Sequence, residues 1–176
     1  MITSRLGYLL GVGSNIKPEE KIPQIIGLLL QHFSQLTLSR VVWTPPIGMN
    51  SQYDFLNVVI FIETTMTISA LKIICNDIEV RLGRDRTDPE RKTKDREADL
   101  DILCETRIPE DIQRTPASIT NEYFLYPMIT EIIHFLAGLP VEPNSSGVAL
   151  ETKGLAFGKT PATIYRNADS SNKSII

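Results

Sequence analysis

The chain has 176 residues, a formal net charge of −3 and an apolar share of 42%, values typical of one globular domain. The acidic balance argues against a surface that neutralises nucleic-acid phosphates, and no apolar run approaches the roughly 20 residues of a membrane span. Two cysteines and two histidines are too few for a disulfide framework or a histidine-based zinc site. We therefore expect a cytoplasmic protein, monomeric unless shown otherwise, with small-molecule ligands and neither nucleic acid nor membrane as a partner.

The first third of the chain alternates strand and helix patterns. Residues 6–14 predict a buried strand that ends at glycine and turn residues. Apolar residues at helical spacing predict a helix over 18–33, and we expect the regular helix to start at Pro23, because proline fits a first turn better than an interior. Residues 36–44 are β-branched and predict a second strand, followed by a turn-rich loop over 44–52.

A third strand and a second helix follow. Residues 53–64 present two alternating side-chain faces, which is the strongest strand pattern in the chain. Residues 68–82 carry an apolar stripe, with Thr67 as the N-cap candidate and Gly83 as the terminator. A charged loop then leads to a fourth strand over 98–105.

The resulting order, β-α-β-β-α-β, is typical of a ferredoxin-like α+β fold, in which both helices cover one face of an antiparallel sheet. Additional C-terminal elements are expected beyond residue 106, where residues 120–139 predict a helix interrupted at Pro127. We expect a single domain over residues 1–167 and a disordered tail over 168–176.

Two aspartates stand one residue apart in the fourth strand. Asp99 and Asp101 point to the same face, about 6–7 Å apart along the strand, and carboxylates so close repel each other unless a cation lies between them. Mg²⁺ is the natural candidate, because it takes oxygen ligands and keeps water and phosphate oxygens around it. Two ordinary solvent-facing aspartates are the alternative.

A basic loop directly precedes this acidic pair. Guanidinium groups match the geometry of phosphate oxygens, so a basic loop beside a candidate metal site suits a polyphosphate ligand. Four acidic residues in the same loop leave a solvated mixed-charge loop open as the alternative. The basic residues are Arg84, Arg86, Arg91, Lys92, Lys94 and Arg96.

Asn57 is unusual because it shares a strand face with Phe55 and other apolar residues. A buried amide needs partners for two donors and an acceptor. A flat heterocycle would supply them while Phe55 stacks on its ring; a hydrogen bond to a neighbouring loop backbone is the alternative. On the second helix, Glu79 lies one turn from Asn76 and could reach a ribose or only water.

Five segments run in the order, and near the spacing, of a known protein family: GSN at 13–15, TPPIG at 44–48, DFLN at 54–57, IEVRLGRDR at 78–86 and READLDIL at 96–103. Together they resemble the 6-hydroxymethyl-7,8-dihydropterin pyrophosphokinase family over roughly residues 7–106. The resemblance implies a ferredoxin-like fold. It also implies transfer of pyrophosphate from ATP to the pterin's hydroxymethyl oxygen, with release of AMP, in folate biosynthesis.

The resemblance also implies roles for individual residues. Asp99 and Asp101 would bind two Mg²⁺ ions, and Arg84 and Arg96 would act with them in catalysis. The expected ATP contacts are Asn76, Glu79, Arg84, Arg86 and Arg96. The expected pterin contacts are Thr44, Pro45, Pro46, Ile47, Gly48, Phe55, Asn57 and Tyr123, with Phe124 as the alternative second aromatic residue.

The chain departs from the family pattern in two places. Before Arg96 the family usually has an aromatic residue and a Gly-Pro pair, and after the fourth strand it carries a histidine and an arginine. The residues at the corresponding positions of this sequence are Thr93, Lys94, Asp95, Ala117, Asn121 and Glu122.

Two other functions are compatible with parts of this pattern. A divergent pterin- or nucleotide-binding homologue with weak or no kinase activity would explain the departures. The same element order also builds RNA-recognition domains, but the chain lacks their aromatic Lys/Arg-Gly signature and is acidic.

Overall fold

The fold is an antiparallel sheet with helices on both faces. The computed structural model describes residues 3–142 and 146–166, so the tail expected at 168–176 lies outside the described residues. The strands are β1 (Arg5–Ser14), β2 (Gln35–Leu38), β3 (Val42–Thr44), β4 (Phe55–Glu63), β5 (Asp99–Ile108), β6 (Leu150–Thr152), β7 (Leu155–Phe157) and β8 (Ala162–Tyr165). The helices are α1 (Pro18–His32), α2 (Ile68–Arg81), α3 (Pro116–Ile119) and α4 (Tyr126–Leu136), with a 3₁₀ turn at Tyr123–Leu125.

The sheet has the strand order β5-β1-β4-β2-β8, and each neighbouring pair is antiparallel. The four strands β5-β1-β4-β2, together with α1 and α2, form the ferredoxin-like arrangement that the sequence predicts. Strand β3 pairs with the same edge of β4 as β2 does, and β8 extends the sheet beyond β2. Strands β6 and β7 form a separate hairpin.

Side-chain alternation along β4 divides the core into two layers. Val59 and Phe61 pack with α4 on one face. The other face meets α1 and α2 through Leu56, Val58, Ile60 and Ile62. Helices α1 and α2 therefore share one face as expected, and the helix expected after residue 106 is α4, which covers the opposite face.

Neither Pro23 nor Pro127 breaks the helix in which it lies. Helix α1 is regular from Pro18, at its first turn, and continues through Pro23, so the expected start at Pro23 is wrong. Pro127 likewise lies in the first turn of α4 and does not interrupt it. Pro18 and Pro127 cost no helical hydrogen bond, because the N–H groups of a first turn have no helical acceptor, whereas Pro23 lies inside α1 and removes one.

The predicted ends of α2 are confirmed. The Thr67 hydroxyl accepts a hydrogen bond from the Ala70 backbone N–H at 3.2 Å, which caps the first turn. Gly83, with a φ of 112°, follows the last turn in a conformation that favours glycine.

The strand expected over 36–44 is divided around a buried ion pair. The Arg40 backbone N–H donates to Glu131 Oε2 at 3.0 Å, and Arg40 Nε lies 3.2 Å from Glu131 Oε1. The Arg40 guanidinium also contacts the Ser146 hydroxyl. Arg40 is only 7% exposed, so the pair ties the break between β2 and β3 to α4 in a largely dry environment.

Candidate active site

A cavity of about 250 Å³ opens at the end of the sheet where β1 ends and β4 and β5 begin. Its floor is the backbone of β1, because Gly11 and Gly13 carry no side chain there. A Cβ at Gly13 would lie 2.5 Å from Asn57 Oδ1, and one at Gly11 would lie 3.1 Å from Leu125 Cδ1. The alternating glycines therefore create the space, and we call it the floor cavity.

Asn57 lies beside this floor, opposite Gly13 in the β1–β4 pairing. Its side-chain Nδ2 donates to the Thr44 hydroxyl at 2.5 Å, across the β3–β4 pair. The residue is 7% exposed. Its Oδ1 lies over Gly13, so the amide offers an acceptor to a ligand on the floor.

The expected pterin contacts converge on the floor cavity, with one exception. Pro46 is absent from the lining, although its neighbours Pro45 and Ile47 are present. Both candidate aromatic residues line the cavity: Tyr123 is 60% exposed, and its ring meets that of Phe124 edge-on with centroids 6.1 Å apart. The other expected residues in the lining are Thr44, Gly48, Phe55 and Asn57.

Asp99 and Asp101 enter the same cavity from the start of β5, opposite Gly13 and Gly11. The shared face that the sequence predicts is therefore present. Asp99 forms ion pairs with Arg84 Nη1 at 2.7 Å and with Arg96 Nη1 at 2.6 Å.

Asp101 is in a different electrostatic state from Asp99. It makes no hydrogen bond or ion pair with any residue that the structure describes. Burial, and then the charges of Asp99 and Glu122, raise the pKa of Asp101 to about 7. Without a cation, this carboxyl group therefore keeps its proton to a higher pH than an ordinary aspartate does.

A groove of about 610 Å³ runs from the aspartates along α2 and the basic loop, and we call it the basic groove. Four of the five expected ATP contacts line it: Asn76, Glu79, Arg84 and Arg86. Arg96 lines the floor cavity instead. The two spaces share Lys92, Asp99, Asp101, Asn121 and Glu122, so the acidic pair lies where they meet.

Glu79 holds two of the arginines in place. It is 2% exposed and accepts the Leu100 backbone N–H at 2.8 Å. Arg84 and Arg86 reach its two oxygens at 3.0 and 2.5 Å. Burial raises the pKa of Glu79, against the lowering effect of these partners. Its carboxylate is thus engaged with the protein, and it fixes both guanidiniums at the groove wall.

Asn15 connects the two loops that flank the site. Its Nδ2 lies 3.3 Å from both Ser51 Oγ and the Tyr53 carbonyl, and 2.9 Å from Asp95 Oδ1. Its Oδ1 accepts the Arg96 backbone N–H at 2.7 Å. Asn15 therefore orients the chain at Arg96, whose guanidinium holds Asp99.

Several lining residues were missed from the sequence as site residues. Glu122 and Asn121 were noted only as departures from the family pattern, and Lys92 only as one charge of the basic loop. Burial, and then the charge of Asp99, raise the pKa of Glu122. Gly11 could have been found, because glycines that alternate on one strand face indicate a close approach of ligand to backbone.

Asp101 fits Mg²⁺, whereas Asp99 beside it places one oxygen on Arg84 and the other on Arg96. Within residues 3–142 and 146–166, no group of three or more Asp, Glu, His or Cys side chains is arranged as a metal cage. Mg²⁺ does not require one, since it is usually held by one or two carboxylates and completes its shell with water and substrate phosphates. Asp101, which forms no ion pair within the part of the chain that the structure describes, supplies an oxygen donor on the face that Asp99 shares.

Fold and site together define a ferredoxin-like α+β protein in which a small cavity meets a groove lined by basic residues at an acidic pair. The model of the 7,8-dihydro-6-hydroxymethylpterin-pyrophosphokinase (HPPK) family matches residues 9–132. The chain belongs to this family. The match extends past residue 106, where the recognised sequence segments ended.

Three similar proteins are each named 2-amino-4-hydroxy-6-hydroxymethyldihydropteridine pyrophosphokinase. The one from Bacillus subtilis (strain 168) is 36% identical over 164 residues, which cover 89% of this chain and 92% of the relative. Those from Campylobacter jejuni and Methylorubrum extorquens are 34% identical over 98 residues and 37% over 101. Each of these two matches covers 54% of this chain and 60% of the relative.

Proposed function

We propose that this protein transfers pyrophosphate from ATP to the hydroxymethyl oxygen of 6-hydroxymethyl-7,8-dihydropterin, releases AMP, and depends on Mg²⁺. Family membership supports the reaction. The observation that carries the proposal is the position of Asp99 and Asp101 at the junction between the floor cavity and the basic groove. A pyrophosphate group that is transferred from ATP in the groove to the pterin in the floor cavity must cross this junction.

The pterin fits the floor cavity. Its ring would lie over the bare backbone at Gly13, against the faces of Phe55 and Tyr123, with Phe124 nearby. The Asn57 amide would take the mixed donors and acceptors of the ring edge. The 44–48 loop, apart from Pro46, would close the cavity beside it.

ATP fits the groove, with its phosphates toward the aspartates. Arg86 and Lys92 lie along its wall, and Arg84 already touches Asp99. Arg96 approaches Asp99 from the floor cavity. The guanidiniums of Arg84 and Arg96, which flank the acidic pair from the two spaces, would hold the phosphates before and after transfer.

The rest of the groove would serve other parts of the complex. Asn76 would contact the nucleoside part of ATP, and Glu79 would act by fixing Arg84 and Arg86.

The chain contributes positioning and charge compensation. Phosphoryl transfer needs in-line alignment and neutralisation of oxygens more than covalent help from the protein. Bound Mg²⁺, for which we propose two ions at Asp99 and Asp101, supplies neutralisation of phosphate charge. The arginines and the rigid floor supply the alignment, because both are fixed by the sheet and by Glu79.

The organisation of the chain forms part of this proposal. We place it in the cytoplasm, which suits the free thiols of Cys75 and Cys104. None of the described helices is long and apolar enough to span a membrane. A monomer suffices, since one chain supplies both spaces. A single domain over residues 1–167 is supported by β8, which joins the same sheet as β1.

The test is formation of AMP from ATP by the purified protein. We expect AMP only when ATP, the hydroxymethyl dihydropterin and Mg²⁺ are all present. Asp101→Asn should reduce the rate by about 100-fold or more, because it removes a charge from the reaction centre. Asp77→Asn is the matched control: this half-exposed aspartate pairs with Arg81 on the surface of α2, and its replacement should leave the rate unchanged.

Two results would contradict the proposal. Normal turnover with both Asp99 and Asp101 replaced by asparagine would show that the acidic pair is not the reaction centre. Calorimetric binding of both ligands without AMP formation would indicate a binding homologue that has lost the activity.

A further inference from the structure

A third cavity, of about 480 Å³, lies on the opposite face of the sheet from the floor cavity. Trp43 lines it. Side chains alternate along β3, and Thr44 lines the floor cavity, so Trp43 points to the other side. We call this space the Trp43 cavity. It shares no lining residue with the floor cavity or the basic groove.

The walls of the Trp43 cavity combine aromatic and acidic groups. Trp43 and Tyr53 are 44% and 63% exposed, so part of each ring is open to solvent. Asp54 and Asp95 lie beside them, and Lys17 is the single basic residue in the lining. The formal charge of the lining is therefore −1. Its volume falls in the range of ligand pockets, about 300–1,000 Å³.

The carboxylates of this cavity are available to a ligand. Among the described residues, Asp54 has no hydrogen bond or ion pair, and Lys17 forms no ion pair with either aspartate. Asp95 accepts one hydrogen bond, from Asn15 Nδ2 at 2.9 Å through Oδ1, which leaves Oδ2 without a described partner. A cation that enters the cavity meets two carboxylates, neither of which forms an ion pair with a described residue.

We propose that the Trp43 cavity binds an arginine side chain presented by a partner polypeptide. A guanidinium plane stacks on an indole or phenol ring, and its N–H groups match carboxylate oxygens. Ile16 and Pro18 offer apolar contact to the methylene stem. The lining of the Trp43 cavity is net acidic, whereas the groove proposed for ATP has five basic and four acidic side chains in its lining, so the Trp43 cavity disfavours phosphate ligands. Tyr53 lines the cavity and is 63% exposed, so a side chain can reach its ring from solvent.

The test follows the Trp43 indole N–H in a ¹H–¹⁵N spectrum, where it is unambiguous because the chain has one tryptophan. The probe is the peptide acetyl-Gly-Arg-Gly-amide, with the Gln and Lys peptides as controls. We expect a saturable shift with the Arg peptide and at least about tenfold weaker binding of the Gln peptide, which lacks the charge. The Lys peptide should bind more weakly than the Arg peptide, because its ammonium cannot stack as a plane.

Substitutions inside and outside the Trp43 cavity test whether the shift reports on a peptide bound there. Tyr53→Ala and Asp54→Asn should each weaken binding by about two- to fivefold. Tyr165→Ala, at an exposed tyrosine on β8, and Asp77→Asn are the matched controls and should leave the titration unchanged. Asp101→Asn should also leave it unchanged, so loss of catalysis and loss of this site are distinguishable.

Three outcomes would overturn the proposal. The first is the absence of a saturable shift with the Arg peptide. The second is equal binding of the Arg peptide and either control peptide. The third is a shift that depends on protein concentration without peptide, which would assign the cavity to a second copy of this chain.

Discussion

Gly13 leaves room for the floor cavity because it has no side chain. Alanine at this position would place its Cβ 2.5 Å from Asn57 Oδ1 and would also fill the floor. Overpacking of this kind costs about 1–3 kcal/mol. Because the added methyl group also occupies the floor, we expect Gly13→Ala to weaken pterin binding by about tenfold or more, measured by calorimetry.

The control for this change is Gly27→Ala. A Cβ at Gly27, in α1, meets nothing within 4 Å, and alanine favours the helix. ATP binding should be unchanged in both variants, since the groove does not include Gly13. Equal pterin affinity of Gly13→Ala and the unaltered protein would show that the ligand does not lie on the floor.

Some of the site could be predicted from single residues. The common face of Asp99 and Asp101 follows from the two-residue period of a strand, which tertiary structure does not change. The engagement of Glu79 with Arg84 and Arg86 could not be predicted, because it depends on how the basic loop folds back over α2. The lining role of Glu122 depends on a 3₁₀ turn for which the sequence has no periodic signal.

At the scale of elements, the ion pair between Arg40 and Glu131 joins the sheet to α4. Their side chains are 9% and 8% exposed. Arg40→Ala would leave a buried carboxylate without its partner, a loss of about 3–5 kcal/mol in the free energy of unfolding. Urea denaturation measures this loss.

The matched comparison is Arg81→Ala. Arg81 pairs with Asp77 on the exposed surface of α2, and such pairs contribute about 0.3–0.5 kcal/mol. Similar losses from Arg40→Ala and Arg81→Ala would show that the buried pair does not fasten α4 to the sheet.

The elements themselves were largely predictable where the pattern is local. The caps of α2 at Thr67 and Gly83 are short-range features, and both are confirmed. The pairing of β2 with β8 joins residues more than 120 positions apart, as in the pair Gln35 and Tyr165, and no local pattern specifies it. The position of α4, on the face of the sheet opposite α1 and α2, also depends on contacts between residues far apart in the chain.

At the scale of the whole molecule, the raised pKa values make folding depend on pH. Asp101, Glu79 and Glu122 all have pKa values above those of unfolded carboxyl groups. Between about pH 4 and the pKa of about 7 for Asp101, the folded protein holds protons that the unfolded chain has released. Stability therefore falls as pH rises through this window.

We expect the Tm, measured by circular dichroism in metal-free buffer, to fall by at least about 2 °C from pH 5 to pH 8. Asp101→Asn should flatten this dependence, because asparagine does not titrate. Asp85 and Asp88, whose pKa values are lowered by hydrogen bonds, act in the opposite direction but only at lower pH. An equal slope in Asp101→Asn would assign the effect to other groups.

The bare floor at Gly11 and Gly13 has a consequence for drug resistance. An inhibitor that rests on main-chain atoms touches nothing that a substitution could trim away, and a substitution that adds atoms there would block the natural substrate as well. Escape would have to arise in the walls, at Phe55 or Tyr123, whose rings we propose to contact the pterin. A compound that draws most of its contact from the floor would leave the enzyme few viable escape routes.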